Sequence, residues 1–232
     1  MVAGTNNGNL YCYNLETLEP VWTNQISNDA IRAPIVYSEN KIFFQDKEGT
    51  LYCLSSDNGL LIWKISSSQG GWKNKSGNSK TDIVVVNHNL FLTDEAGNLF
   101  CVDALLGTNN WNIKNIDSNG SIRLNKKSEL VLPTAKNKVI IVSPKLGKVT
   151  SEIQLAVDIK SAEIADLQII GDNTIIGFSD GWVYRIKPKQ IPEKIFRGGT
   201  APIVSLTNVN GDCLVTDYDG NFTLLKISSG KK

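Results

Sequence analysis

The sequence predicts an all-β protein built from repeated four-stranded antiparallel units. Three observations support this prediction. A glycine–cysteine–tryptophan pattern recurs at a spacing of roughly 40 residues, which is typical of repeat architectures. Apolar segments are short and are separated by turn-forming residues. No segment carries an apolar stripe of helical period over more than a turn or two, so almost no helix is expected.

The repeated pattern places a cysteine four residues after a glycine and ten residues before a tryptophan. Its clear copies are Gly8–Cys12–Trp22, Gly49–Cys53–Trp63 and Gly97–Cys101–Trp111. Three weaker copies have Ile141, Arg185 and Leu224 at the cysteine position, preceded by Asn137, Gly181 and Gly220. A position that is always Gly or Asn is typical of a turn residue with positive φ.

One complete copy predicts the elements of a unit in order. Strands are expected at 33–38, 42–45, 50–55 and 60–65, joined by turns at 38–41, 46–49 and 56–59. The strand segments are rich in Val, Ile, Tyr and Phe, whereas the turns contain Gly, Asn, Asp and Ser. Each unit is therefore predicted to be a four-stranded antiparallel sheet.

The third strand is apolar or small on both faces. In the first copy Leu10 and Cys12 share one face, and Tyr11 and Tyr13 share the other. A sheet with one solvated face would alternate with charged residues, so each sheet is expected to be covered on both sides. Sheets stacked around an axis meet this requirement and predict a β-propeller. A flat solenoid would need polar capping units, which neither end resembles.

The repeats predict a single β-propeller domain over residues 1–232, with about six units. Their approximate bounds are 1–28, 29–68, 80–117, 120–156, 159–198 and 199–232. The first unit begins at its second strand, and the last ends before its fourth strand. The first and last blades are therefore expected to be incomplete.

The third strand, turn and fourth strand resemble the tryptophan-docking repeat of pyrroloquinoline-quinone-type propellers, which runs Ala-x-Asp-x-x-Thr-Gly-x-x-x-Trp. The alanine positions are taken by Cys12, Cys53 and Cys101, and the aspartate positions by Asn14, Ser55 and Asp103. The glycine position holds Gly59 and Gly107, whereas the first copy has Leu18. The fourth copy keeps Gly147 but has Ser151 at the tryptophan position.

The resemblance implies a role for each conserved indole. Trp22, Trp63 and Trp111 are expected to pack between neighbouring blades and to dock them, with Gly59 and Gly107 at the docking turns. In this family a strand from one terminus commonly completes the blade of the other terminus. The incomplete end units therefore lead us to expect further residues upstream of Met1 in the native protein, amounting to one or two blades.

Composition and net charge indicate which kinds of partner the protein is expected to bind. The chain has 24 basic and 23 acidic side chains, for a formal net charge of +1. Such a balance gives no general attraction to nucleic acid or to an anionic membrane surface. No apolar run approaches the roughly 20 residues of a membrane-spanning helix. We therefore expect other proteins as partners, with no nucleic acid and no direct membrane span.

Catalytic and metal-binding candidates are few. The single histidine, His88, lies in an expected strand-to-strand turn, and no Ser-His-Asp or Cys-His arrangement can be assembled around it. The repeated cysteines are interpreted as small buried apolar residues, and no close Cys-x-x-Cys pair suggests zinc. Quinone-dependent dehydrogenases share the predicted fold, but their adjacent cysteine pair and calcium loop are missing here. No catalytic, cofactor-binding or metal-binding residue is therefore predicted.

Three residues are candidates for a partner surface. Trp72 lies in a polar, glycine-rich loop at 69–77, and Trp182 follows a turn at 179–181. Exposed tryptophan with neighbouring cations is favoured at interaction hot spots, although local packing explains both indoles equally well. Arg123 aligns with apolar residues of the innermost strand and is expected to point into the central channel. A backbone carbonyl partner and a ligand role stay open for it.

The sequence favours a non-catalytic propeller scaffold that mediates protein–protein interaction. The resemblance is closest to the bacterial envelope propellers that help to assemble outer-membrane proteins. Two alternatives stay open, namely a relative or fragment of a quinone-dependent dehydrogenase and a ligand-sensing propeller domain of a larger protein. The resemblance favours the periplasm, whereas unpaired cysteines suit a reducing compartment such as the cytoplasm.

Overall fold

A computed structural model describes residues 1–31, 34–73, 82–118, 120–155, 162–188 and 190–227. The chain consists of two compact units, Met1–Gly120 and Ser121–Lys232. Each unit contains three antiparallel sheets among its described residues. The predicted strand position Ala33, the part of the polar loop after Lys73 and the last residues after Ile227 lie outside the described residues.

The described residues of the first unit form three sheets and one short helix. The first sheet has the order β1 (Val2–Gly4), β2 (Asn9–Tyr13) and β3 (Pro20–Gln25). The second has the order β4 (Val36–Ser38), β5 (Lys41–Gln45), β6 (Leu51–Ser55) and β7 (Leu61–Ile65). After the helix α1 (Ser67–Gly70), the third sheet comprises β8 (Ile83–Val86), β9 (Asn89–Thr93), β10 (Leu99–Asp103) and β11 (Asn109–Ile113).

The second unit follows the same plan. Its fourth sheet comprises β12 (Arg123–Leu124), β13 (Leu130–Pro133), β14 (Lys138–Ser143) and β15 (Lys148–Gln154). The fifth comprises β16 (Ile164–Ile170), β17 (Asn173–Phe178), β18 (Trp182–Ile186) and β19 (Glu193–Arg197). The sixth comprises β20 (Ile203–Val209), β21 (Asp212–Asp217) and β22 (Phe222–Leu225). Strands are paired in chain order throughout.

The turns between second and third strands adopt the predicted left-handed conformation. The Gly or Asn at this position has positive φ in every copy, including Gly49 at 77° and Asn137 at 53°. The turn after β5 is also closed by a side chain, since Asp46 Oδ1 accepts hydrogen bonds from the backbone N–H groups of Glu48 and Thr50. This geometry explains why a residue that tolerates positive φ recurs four positions before the cysteine column.

A register shift in each of the first four sheets fixes the tryptophan position. In the second sheet Cys53 pairs with Trp63, and the ladder then shifts between Cys53 and Leu54. The same pairing joins Cys12 with Trp22 and Cys101 with Trp111. Such a bulge re-aims the side chain next to it. The repeat spacing in the sequence therefore corresponds to one structural position at the end of each paired segment.

The cores lie between neighbouring sheets, as the apolar third strands predict. In β6 the residues Leu51, Tyr52, Cys53 and Leu54 are all buried, although they alternate between two faces. Cys53 belongs to a cluster shared with the third sheet, whereas Tyr52 and Leu54 pack with residues of the first sheet. Both faces of this sheet are therefore covered, which confirms the inference drawn from the sequence.

The helix α1 was not predicted, because the loop was expected to begin as irregular structure at Gln69. Ser66 and Gln69 form a capping box, in which the Ser66 hydroxyl accepts from the Gln69 backbone N–H. Gly71 ends the helix in the left-handed conformation at φ 79°. The Ser-x-x-Gln signal was present in the sequence, but one helical turn is too short to show a helical apolar period.

Candidate functional site

Trp22 connects the first sheet to the second. Its indole Nε1–H donates a hydrogen bond of 2.9 Å to the carbonyl of Ser56, in the turn between β6 and β7. The ring lies against Gly59, where an added Cβ would come within 2.6 Å of it. The side-chain amide of Asn24 also donates to the Gly59 carbonyl at 2.8 Å. A glycine with positive φ is therefore required at this turn both for conformation and for space.

Trp63 repeats this arrangement between the second and third sheets. Its Nε1–H donates to the carbonyl of Ala104 at 3.2 Å, and its ring lies against Gly107. Within its own sheet it packs on Phe43, with the ring centroids 6.0 Å apart. Trp111 holds the same register position opposite Cys101 and packs on Phe91 at 5.7 Å. The indole thus combines a large apolar surface with one directed hydrogen bond.

Trp72 is buried, so the expectation that its indole forms part of an exposed surface is wrong. Its residue is only 3% exposed, and its Nε1–H donates to the carbonyl of Gly49 at 2.8 Å. The ring meets Phe100 edge-on, with centroids 5.7 Å apart. The left-handed Gly71 at the end of α1 turns the chain so that Trp72 enters the core instead of leaving it.

Trp182 remains partly exposed at the start of β18, and two cations lie close to its ring. Lys194 Nζ is 4.8 Å from its ring centroid, and Arg197 Cζ is 5.2 Å from it. One side of the indole packs against the core of the second unit, which leaves the other side accessible. Among the residues that the structure describes, no carboxylate forms an ion pair with Lys194 or Arg197. We call Trp182, Lys194 and Arg197 the aromatic–cationic surface.

Glu193 lies beside this surface but is engaged elsewhere. It forms ion pairs with Arg185 and with Lys187, the latter at 3.6 Å. The hydrogen bond from Arg185 holds the pKa of the Glu193 carboxyl below its usual range. The carboxylate therefore stays ionised and oriented toward Arg185 and Lys187, so β18 and β19 together present an excess of positive charge.

Arg123 forms a buried contact with a residue that sequence reasoning missed. Its Nη2 donates to Asp166 Oδ1 at 3.1 Å, and its Nη1 donates to the Ile122 carbonyl at 2.9 Å. Asp166 also accepts from the backbone N–H groups of Leu167 and Leu206, at 2.7 and 2.8 Å. The carboxylate thereby joins β12, β16 and β20, the first strands of three sheets. A lone Asp in the apolar segment 164–170 was the signal for it.

The single histidine and the cysteines have structural surroundings. His88 is exposed in the turn between β8 and β9, and its Nδ1 lies 2.7 Å from a carboxylate oxygen of Glu39. Burial raises the pKa of the Cys53 and Cys101 thiols to about 12 and that of Cys213 to about 11. Since the thiolate is the reactive form, these three side chains are inert at neutral pH and serve as small apolar residues.

Metal-binding clusters are absent from the described residues, which contain no group of three or more His, Cys, Asp or Glu side chains arranged to hold a metal ion. The part of the chain that the structure describes also has no helix with the length and apolar character needed to cross a membrane.

Comparison with solved structures identifies the fold. BamB from Moraxella catarrhalis matches with a TM-score of 0.61 and 17% identity, over 97% of this chain and 81% of that chain. The computationally designed Ika8 protein matches with a TM-score of 0.73 and 12% identity, over 97% and 67%. Saccharomyces cerevisiae Sqt1 gives 0.73 and 12%, over 97% and 68%. At such low identities these likenesses show the fold alone, and the predicted all-β propeller class is confirmed.

A family model supplies the relationship that single structures cannot. The model described as "Outer membrane protein assembly factor BamB" matches residues 6–231, which is nearly the whole chain. The search of curated proteins found no match. The matched region includes Trp22, Trp63 and Trp111 as well as the weaker copies of the repeat. This chain therefore belongs to the BamB family of pyrroloquinoline-quinone-like repeat propellers.

Proposed function

We propose that the protein is a non-catalytic scaffold that binds other proteins during outer-membrane protein assembly. The observation that carries this proposal is the family match over residues 6–231, which spans all six sheets. The bacterial cell envelope is the matching location.

The aromatic–cationic surface is the part of the chain that we assign to partner binding. Trp182 offers a large, rigid and partly buried ring, and such aromatic anchors dominate protein interfaces. Lys194 and Arg197 both lie near its ring and have no ion-pair partner among the described residues. An acidic partner segment with an apolar side chain would satisfy the cations and cover the indole.

The chemistry of the chain's own side chains supports a non-catalytic role. Cys53, Cys101 and Cys213 have raised thiol pKa values, which is the opposite of what a nucleophilic cysteine requires. The buried carboxylate of Asp166 is held by Arg123 and by two backbone N–H groups, an arrangement suited to joining strands. The competing hypothesis is that the protein is a relative or fragment of a quinone-dependent dehydrogenase.

A crosslinking experiment tests the scaffold proposal. A photoreactive residue placed at Trp182 in the cell envelope of the source organism should crosslink to outer-membrane assembly proteins, as identified by mass spectrometry. Trp182→Ala should lower recovery of those proteins in a pull-down at least fivefold. Tyr218→Ala is the matched control, because Tyr218 is 79% exposed but lies between the acidic residues Asp217 and Asp219. Its recovery should be unchanged.

Two results would overturn the proposal. Equal recovery with Trp182→Ala and with the unaltered chain would remove the aromatic–cationic surface from partner binding. Dye-linked oxidation of alcohols or sugars by the protein with pyrroloquinoline quinone and calcium would establish catalysis and favour the dehydrogenase hypothesis.

A further inference from the structure

The fourth sheet lacks the docking indole at a position where the first two sheets use it. Ser151 pairs with Ile141, and the ladder shifts directly after Ile141. This is the register in which Trp63 pairs with Cys53. Ser151 is exposed and Ile141 is only partly buried, whereas Cys53 beneath its indole is fully buried. The small hydroxymethyl side chain therefore leaves the docking position uncovered.

A cavity of about 470 Å³ lies at this position, within the second unit. Its walls include Ile141 and Ser151 from the fourth sheet, and Thr174, Ile186 and Pro188 from the fifth. This volume is within the range of roughly 300–1,000 Å³ that is common for ligand pockets. The cavity therefore lies beside the position at which the first two sheets carry a tryptophan side chain.

The fifth-sheet wall matches part of the surface on which an indole docks elsewhere in the chain, although Ile191 holds the position that Gly59 and Gly107 occupy. Trp22 packs on a cluster that contains the cross-strand pair Ile42 and Leu54. The corresponding pair in the fifth sheet is Thr174 and Ile186, and both residues line the cavity.

The fifth sheet also has a backbone carbonyl at the sequence spacing of the indole acceptors. The carbonyls that receive Trp22 and Trp63 belong to Ser56 and Ala104, each three residues after the cysteine position. The residue at that spacing in the fifth sheet is Pro188, which lines the cavity. Proline lacks an N–H but retains its carbonyl, so it can accept the same hydrogen bond.

Charged side chains surround the opening. Lys126, Lys127 and Lys187 line the cavity together with Glu129 and Asp172. Lys187 also pairs with Glu193 at 3.6 Å, so Lys127 is the rim cation that has no ion-pair partner among the described residues. Lys126 pairs with Asp172 at 2.8 Å, and the side-chain amide of Asn125 donates to Glu129 at 2.9 Å. Both carboxylates therefore already have donors. A ligand that approaches this rim is favoured when it carries acidic groups.

We propose that this cavity, the Ser151 cleft, binds a tryptophan side chain of a partner protein whose neighbouring residues are acidic. The partner's indole would take the place that Trp22 and Trp63 occupy in their own sheets. Its ring would lie on Thr174 and Ile186, and its N–H would point to the Pro188 carbonyl. The inference goes beyond the scaffold proposal, because the Ser151 cleft and the aromatic–cationic surface share no residue.

Peptide binding tests the Ser151 cleft directly. The probe is a fluorescein-labelled peptide with one central Trp between aspartates, titrated with protein to about 1 mM and followed by fluorescence anisotropy. A peptide with Ala in place of Trp is the ligand control. We expect saturable binding of the Trp peptide and at least tenfold weaker binding of the Ala peptide.

Variants of the cleft decide whether the peptide occupies it. Ser151→Trp supplies the missing indole from the chain itself and should weaken peptide binding at least tenfold while raising the midpoint of thermal unfolding. Ser151→Gln fills the same exposed position without adding charge and serves if the first variant does not fold. Lys148→Trp adds a tryptophan elsewhere on β15 and should leave binding unchanged, as should Trp182→Ala.

Three outcomes would overturn the proposal. The first is an anisotropy that does not saturate at about 1 mM protein. The second is equal binding of the Trp and Ala peptides, and the third is undiminished binding by both Ser151 variants. Sedimentation that shows a dimer of the unaltered chain, lost in Ser151→Trp, would instead assign the cleft to a second copy. Loss of peptide binding in Trp182→Ala alone would place the peptide on the aromatic–cationic surface.

Discussion

The ring of Trp63 lies against Gly107 so closely that an added Cβ would come within 2.8 Å of it. Gly107 also has a φ of 71°, which side chains other than glycine rarely adopt. The indole belongs to the second sheet, and the glycine belongs to a turn of the third. This contact therefore depends on the large ring of Trp63 in one sheet. It also depends on the absence of a side chain at Gly107 in the next sheet.

Replacement of Gly107 by alanine should destabilise the protein by about 3 kcal/mol. The left-handed conformation costs a non-glycine residue about 1–2 kcal/mol, and overpacking against the ring adds about 1–3 kcal/mol. Gly171→Ala is the matched control, because its φ is 61° but an added Cβ would meet nothing within 4 Å. Gly171→Ala should lower the free energy of unfolding only by the cost of the left-handed conformation, about 1 kcal/mol. Urea unfolding measures both, and equal losses would contradict the docking contact.

Replacement of Leu18 by glycine should stabilise the protein by about 1 kcal/mol. Leu18 holds the glycine position of the first copy with a φ of 59°, and its side chain is 73% exposed. The substitution relieves strain and removes little packing. Leu106 is similarly exposed but has no positive φ, so Leu106→Gly should lose about 0.5–1 kcal/mol. Thermal unfolding should shift in opposite directions for the two variants.

Removal of the Asp166 carboxylate should cost about 3 kcal/mol of stability. Asp166→Ala leaves the Arg123 guanidinium, the Leu167 N–H and the Leu206 N–H without their acceptor in a largely buried setting. A double-mutant cycle with Arg123→Ala should give a coupling above about 1 kcal/mol. The exposed pair of Lys138 and Glu152 is the control and should give below about 1 kcal/mol. Similar couplings for both pairs would count against the inter-sheet role of Asp166.

Replacement of Tyr184 by phenylalanine should leave the stability unchanged or raise it by about 1 kcal/mol. Its hydroxyl is buried and has no hydrogen-bond partner among the described residues. An unsatisfied buried hydroxyl is costly, so its removal is favourable. Tyr52→Phe is the control, because the Tyr52 hydroxyl donates to Asp46 at 2.8 Å, and it should lose about 1.5 kcal/mol. A loss of similar size in both variants, measured by urea unfolding, would show that Tyr184 has a partner.

Stability should fall as the pH rises above about 9. Burial raises the folded-state pKa of Cys53 and Cys101 to about 12 from an ordinary value of 9.0. Between these values the unfolded chain loses protons that the folded chain retains, so each thiol lowers the free energy of unfolding, by at most about 1 kcal/mol per pH unit. Urea unfolding at pH 8 and pH 10 measures the slope, which should be shallower in the Cys53→Ala, Cys101→Ala double variant.

Thiol labelling provides an independent control on the same cysteines. Cys12 is partly exposed, whereas Cys53, Cys101 and Cys213 are buried. A maleimide should therefore modify Cys12 in the native protein, and it should reach the other three only as the chain unfolds. Rapid native labelling of Cys53 or Cys101 would remove the physical basis for the expected alkaline loss of stability.

The sequence was sufficient for features that depend on local conformation and on repetition. A Gly or Asn four residues before the cysteine column identified the left-handed turns at Gly49 and Asn137, because only a few residue types tolerate positive φ. Apolar residues on both faces of β6 identified a sheet covered on two sides. These properties are carried by residues close together in the chain, so they can be recognised without knowledge of the neighbouring sheets.

Only the tertiary structure decided which side chains meet across sheets. Trp72 was expected at the surface, but Gly49 and Phe100 receive it in the core. Asp166 was one carboxylate in an apolar strand until its contacts with Arg123 and Leu206 showed its role. Ser151 was known only as a missing tryptophan, and the cavity beside it depends on the fifth sheet. Burial and pairing are set by residues distant in sequence, so no local pattern contains them.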